Sequence, residues 1–182
     1  SSIKVADQWS KAVVLRLDSP GGSALASDLL WHQLMKLRAK KPLIVSVGAM
    51  AASGGMYLAS AGSKIFAEPT SIVGAIGVVG GKVSFKRSLA EVGVHVTTIA
   101  GTKDPEKAAR AAYMSPLEPW DDATRAKVRA SMVSVYDLFL KRLSEGRGVP
   151  VETIATSAEG RIFGGVTARD RKLVDELGGL DD

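Results

Sequence analysis

The chain has 182 residues, enough for one domain with a full hydrophobic core. Hydrophobic residues make up 46% and charged residues 24%, the balance of an ordinary soluble globular protein, and 24 Lys and Arg against 19 Asp and Glu leave a net charge of +5. That excess is spread along the chain without a basic cluster interleaved with aromatics, so no nucleic-acid partner is expected. The absence of cysteine excludes disulfides and thiolate metal sites.

No apolar run approaches the ~18 residues of a membrane span, and the N-terminus lacks the pattern of a signal peptide. The opening segment "SSIKVADQWSK" carries no strand signal, and the chain stops on "ELGGLDD". It is expected to be a single domain, 1–182, cut from a longer protein, with any membrane association supplied by parts outside it.

Two short apolar runs, "AVVLRL" (12–17) and "PLIVSVG" (42–48), are nearly continuous, as suits strands covered on both faces. Between them Ser23 can cap a helix whose positions Ala26, Leu29, Leu30, Leu34 and Leu37 keep the helical period. Strand, helix and strand in this spacing make a right-handed βαβ unit. A second helix begins near Ser53. Strands are predicted at "KIFAE" (64–68), "IVGAIGVV" (72–79) and "VHVTTIA" (94–100), with a helix over 82–93 before the last. The Pro-rich, charged stretch 100–122 reads as a long loop. A helix over 122–146 follows, with Met132, Tyr136, Phe139, Leu140 and Leu143 as its buried stripe and Gly146 and Gly148 ending it. The tail reads as two short helices around an "RIF" strand. The class is α/β with a mostly parallel sheet.

Two glycine clusters follow the two neighbouring strands: "DSPGGS" (18–23) and "AASGGM" (51–56). Ligands of α/β sheets sit beyond the carboxyl ends of the strands. There Gly21 and Gly22 let the backbone turn sharply, and Gly54 follows Ser53 directly. Two N–H donors beside a hydroxyl make an oxyanion hole for acyl transfer. Either cluster alone fits close packing or a loop; both together at the ends of one βαβ unit favour a site. Neither His32, in the first helix, nor His95 lies in a motif that would make it the base for Ser53. The alternative is a lysine held neutral by burial, for which Lys103 and Lys107 in the long loop are candidates.

These residues resemble the signal peptide peptidase A (protease IV) family, which shares its core with Clp protease and crotonases. The likeness runs through "AVVLRLDSPGGSALASDLL", "KPLIVSVGAMAASGGMYLASAGSKIFAEPTSIVGAIGVVG", "LAEVGVHV" and "GRIFGGVTARDRKLVDELG". It implies a Clp protease/crotonase-like repeated core and a Ser-Lys serine endopeptidase acting on cleaved signal peptides and other hydrophobic peptides, without a cofactor or metal. It further implies a bacterial, membrane-associated, envelope setting and ring-like or dome-like homo-oligomers. By this likeness Ser53 is the nucleophile and the N–H groups of Gly22 and Gly54 form the oxyanion hole. Where Clp protease carries its histidine, this chain has Val78.

Two positions depart from the family pattern. "YMSPLEPW" puts Met114 where the family has its base lysine, and "VGAIG" puts Ala75 where a serine assists that lysine. Tandem members of the family carry the lysine on one domain copy and the serine on the other, so the resemblance implies a serine-bearing C-terminal half whose base comes from elsewhere. The alternatives are an inactive structural or oligomerisation domain of the same fold, favoured by Met114 and Ala75, and a crotonase-like acyl-CoA enzyme. The exposed loop around Tyr113, Met114 and Trp120 is a candidate contact with a neighbouring subunit.

Overall fold

The computed structural model describes residues 3, 9–99 and 101–182; residues 1, 2 and 4–8 of the opening segment lie outside the described residues. The chain divides into two compact units, residues 1–78 with 135–182, and residues 79–134.

The first unit is built on β1 (Val13–Ser19), α1 (Ala24–Arg38), β2 (Leu43–Ala52), α2 (Gly54–Ala59), β3 (Lys64–Ala67) and β4 (Ile72–Gly74). Strand β1 runs parallel to β2 with Val13 opposite Leu43. On the other side of β2, β3 pairs with residues 44–47 and β4 with residues 50–52, both parallel. β5 (Ile162–Gly164) joins β4 antiparallel, and the two-residue β6 (Glu176–Leu177) joins β3 parallel. Valines 45 and 47 and Leu43 are fully buried, as their near-continuous apolar run predicted. The mostly parallel α/β sheet therefore forms as expected.

Helix α1 starts where Ser23 was expected to cap it: its Oγ accepts the N–H of Ala26 at 3.3 Å. Its buried stripe agrees at Leu34 and Leu37 but not in the first two turns. Ser27, Trp31, Leu34 and Leu37 face inward, while Ala26, Leu29 and Leu30 are exposed. The rotation has a tertiary cause: Trp31 donates its indole N–H to Ser60 Oγ, a buried acceptor, at 3.0 Å. A tryptophan that buries its ring and pairs its N–H outcompetes two leucines for the inward face.

The 26-residue helix α5 (Asp122–Arg147) matches its predicted span, and Phe139, Leu140 and Leu143 are buried. The unit boundary falls within it. Gly148, at φ +65, is the residue that turns the chain out of the helix. Gly146 instead lies inside the last turn, where its missing side chain lets the helix rest on the Ser60 carbonyl. Helix α6 (Val151–Ala155) and α7 (Gly165–Asp170) flank β5 as predicted.

The second unit carries α3 (Lys86–Glu91), α4 (Pro105–Ala111) and the start of α5. Helix α3 is shorter than the predicted 82–93. Helix α4 corrects the expectation of a loop over 100–122: Asp104 Oδ1 accepts the N–H groups of Glu106 (3.0 Å) and Lys107 (3.3 Å), and Pro105 opens the first turn. The strand expected over 94–100 does not form at 94–99, and residue 100 lies outside the described residues. Among the described residues all six strands belong to the first unit, and none pairs with residues 94–99. Thr98 Oγ1 instead donates to Glu118 Oε1 at 2.7 Å. The strand expected over 72–79 stops at Gly74, because Gly74 (φ +113) and Ala75 (φ +49) leave the extended region.

Candidate active site

The two glycine clusters meet at the carboxyl ends of β1 and β2. Strand β2 ends at Ala52, and Ser53 turns the chain into α2 at φ 51, ψ −118. A serine in that region is strained by roughly 1–3 kcal/mol and persists only where its surroundings hold it. Here they do: the Ser53 N–H donates to the Gly74 carbonyl of β4 at 2.9 Å, and the Ser53 carbonyl accepts from the Tyr57 N–H at 3.0 Å. Both main-chain groups are occupied. The hydroxyl is not, because it makes no capping bond to its own helix. Serine hydroxyls at helix starts ordinarily cap, so this one is displayed rather than used. Ser53 is half-buried.

The "DSPGGS" loop lies against this turn. Asp18 Oδ1 accepts the Met50 N–H at 3.1 Å, and Ser19 Oγ accepts the Gly21 N–H at 3.2 Å, so the loop is tied to β2 and to itself. A Cβ on Gly21 would fall 2.7 Å from Ser53 Cβ and 2.8 Å from Gly54 N. Only glycine allows that approach, and the φ of +107 at Gly21 requires it as well. On the other side, a Cβ on Gly54 would fall 2.6 Å from Ser27 Oγ and 3.3 Å from Gly22 N. The Gly22 backbone nitrogen thus lies close to Gly54, the residue that directly follows Ser53.

Neither nitrogen has an acceptor among the described residues. That is ordinary for Gly22, which is exposed. Gly54 is buried, and buried backbone N–H groups are satisfied in the great majority of cases. An unpaired N–H there, near a second one and an uncommitted hydroxyl, is the kind of donor arrangement that can stabilise a tetrahedral oxyanion. The residues singled out from the sequence, Ser53, Gly22 and Gly54, come together. Ser27 was not singled out, yet its Oγ fills the space a side chain on Gly54 would need while donating to the Ser23 carbonyl at 3.0 Å. Its place four residues after a helix cap was the available cue.

Ala75 shares the strained backbone of Ser53, at φ 49, and donates its N–H to the Arg161 carbonyl at 2.7 Å. It offers no hydroxyl. Met114 is 69% exposed and has no proton-accepting group. Lys103 and Lys107 belong to the second unit and are exposed; Lys107 Nζ lies 3.6 Å from Asp104 Oδ2. His95 is exposed, whereas His32 Nε2 lies 2.9 Å from Arg142 Nη2 and 3.6 Å from Asp28 Oδ2. Among the described residues no cluster of His, Asp and Glu is arranged to hold a metal, and no helix is long and apolar enough to cross a membrane.

Known proteins share both the fold and the sequence. A mutant ClpP1 from Listeria monocytogenes superposes over 98% of this chain and 80% of its own, with a TM-score of 0.62 at 15% identity, a likeness of fold alone. In sequence the chain is 38% identical over 170 residues to a protein of Arabidopsis thaliana named serine protease SPPA, chloroplastic, covering 93% of this chain and 24% of that one. It is 35% identical over 177 residues to protease 4 of Haemophilus influenzae, covering 97% of this chain and 28% of that one. It thus spans about a quarter of the length of these relatives. The pattern that defines peptidase family S49 matches residues 35–182, which include Ser53, Gly54 and the strained Gly74–Ala75 pair. The chain belongs to peptidase family S49.

Proposed function

We propose that this chain is the serine-bearing part of a serine endopeptidase of the signal peptide peptidase type. The unpaired N–H of buried Gly54, next to that of Gly22 and to the uncommitted hydroxyl of Ser53, carries the reading. Ser53 Oγ attacks a peptide carbonyl and loses its proton to a base. The carbonyl oxygen takes up the negative charge between the two N–H groups, the amine leaves with a proton, and water then hydrolyses the acyl-enzyme.

The base is a lysine supplied by another domain or another subunit, since a thioether stands at Met114. This reading makes the chain the C-terminal half of a tandem peptidase. Its substrates are cleaved signal peptides and other hydrophobic peptides, bound extended so that main-chain pairing gives affinity and apolar pockets give selectivity. The setting is a bacterial envelope, with membrane attachment and homo-oligomer contacts outside the described site.

A fluorophosphonate serine probe, mapped by mass spectrometry on the native full-length protein, tests this. Labelling at Ser53 that disappears on heat unfolding and in Ser53→Ala supports the nucleophile. Labelling of full-length protein but not of the isolated chain supports a base from elsewhere. Met114 and Ala75 favour a second reading, a non-catalytic domain of the same fold. An intact full-length protein that never labels at Ser53 would establish it.

A further inference from the structure

Each of the two N–H donors stands immediately ahead of a helix: Gly22 precedes the Ser23 cap of α1, and Gly54 opens α2. The spacing of the donors is therefore set by how α1 packs on α2. That contact includes three polar approaches. Ser27 Oγ abuts Gly54, Asp28 Oδ1 accepts the Tyr57 hydroxyl at 2.8 Å, and the Trp31 indole bonds Ser60 Oγ at 3.0 Å. Ser27, Asp28 and Trp31 are on α1; Gly54 and Tyr57 are on α2, and Ser60 caps it.

Helix α5 fixes this contact from outside. Arg142 Nε donates to the same Asp28 Oδ1 at 3.0 Å, its Nη1 reaches Glu145 at 3.0 Å, and its guanidinium lies over the Trp31 ring, 4.9 Å from the centroid. Phe139 stacks on the Tyr57 ring at 4.8 Å. Burial alone would raise the Asp28 carboxyl, but the hydrogen bonds from Tyr57 and Arg142 hold it below its ordinary value, so it stays an acceptor. Burial and the adjacent Asp28 push the Tyr57 phenol up, so it stays a donor. The bond between them joins a phenol donor to an ionised carboxylate, a charge-assisted pairing.

We infer that Tyr57 and Asp28, braced by Arg142, are a positioning pair that sets the distance between the Gly22 and Gly54 N–H groups. This rests on the peptidase reading above. The pair touches no substrate. It acts through α2, whose six residues carry Gly54 at one end and Tyr57 one turn later. Five of its six residues are buried, and the Tyr57 hydroxyl on Asp28 ties that packed helix to α1 at the turn after Gly54. Removing the hydroxyl lets α2 settle on α1 at a different height, and displacements of about 1 Å at reacting groups cost up to about 100-fold in rate.

The test uses the full-length protein, with Tyr57→Phe, Asp28→Asn and a control, Arg147→Gln. The control breaks the Arg147–Asp175 ion pair (3.0 Å from Nη1 to Oδ2), which lies outside the α1–α2 contact. Tyr57→Phe keeps the ring against Phe139 and Trp31, so the fold survives. The readouts are the rate of Ser53 labelling by the fluorophosphonate probe, and kcat and KM on a fluorogenic apolar peptide, well below each variant's melting temperature. Tyr57→Phe should lose roughly 10- to 100-fold in labelling rate and kcat with KM unchanged. Arg147→Gln should melt earlier yet label at the wild-type rate. Wild-type labelling and kcat in both Tyr57→Phe and Asp28→Asn would refute the positioning role while leaving the peptidase reading intact. So would equal rate losses in all three variants, since stability alone would then explain them. A wild-type protein that does not label at Ser53 overturns the positioning role together with the peptidase reading on which it rests.

Discussion

Gly21→Ala and Gly22→Ala separate backbone strain from steric pressure on Ser53. Both glycines have positive φ, +107 and +153, so an alanine at either is strained by roughly 1–3 kcal/mol. At Gly22 a new Cβ meets nothing within 4 Å, and the strain is the whole effect. At Gly21 it meets Ser53 Cβ at 2.7 Å, where ordinary contact begins near 3.4 Å, so one side must retreat by about 0.7 Å. Overpacking of this kind adds about 1–3 kcal/mol. With about 2–4 °C per kcal/mol for a protein of this size, Gly21→Ala should lower the melting temperature roughly twice as far as Gly22→Ala. The chemical effect should differ more. The retreat falls on Ser53 and Gly54 themselves, and should slow fluorophosphonate labelling by roughly 10- to 100-fold. Gly22→Ala strains a proposed oxyanion donor but meets nothing at its Cβ, so it should slow labelling less than Gly21→Ala does. Differential scanning fluorimetry and a labelling time course on the full-length protein measure both. Two variants that melt and label alike would refute the close approach of the two loops as the basis of the site.

Three further outcomes follow from the packing. Gly146→Ala gains up to about 1 kcal/mol of helix propensity, but its Cβ would collide with the Ser60 carbonyl; a net loss of roughly 1–3 kcal/mol is expected in urea unfolding. Trp31→Phe removes the indole N–H that Ser60 Oγ accepts and should cost about 1–3 kcal/mol, with a neutral result excluding the bond as a determinant of the α1 orientation. Asp175 is held below its ordinary value of 3.8: burial alone would raise it, and the Arg147 hydrogen bonds and charge overcome that. A lowered carboxyl contributes stability above its unfolded value and loses it as pH falls through the folded value. Wild type should therefore lose stability below about pH 4 more steeply than Asp175→Asn, which should already be weaker at neutral pH. Parallel acid limbs in the two proteins would remove Asp175 from the acid transition.

The sequence alone determined the βαβ unit, the Ser23 cap, the span of α5 and the meeting of "DSPGG" with "AASGG". Each depends on local chemistry: apolar runs, a capping hydroxyl, a helical period and glycines placed after strands. It also contained an unread cue for α4, the "DPE" start of a helix, because proline and charge in one stretch read equally well as loop.

What only the tertiary structure decided depends on contacts distant in sequence. Which face of α1 turns inward follows from Ser60, 29 residues after Trp31. Residues 94–99 have strand composition but no strand to pair with, and a strand without a ladder leaves its main-chain groups unsatisfied. The strain at Ser53 persists because Gly74 of β4 holds its N–H, and Gly54 N has no acceptor among the described residues where the "DSPGG" loop lies against α2. A periodic pattern fixes which residues share a face; the partner of that face is set by the rest of the chain.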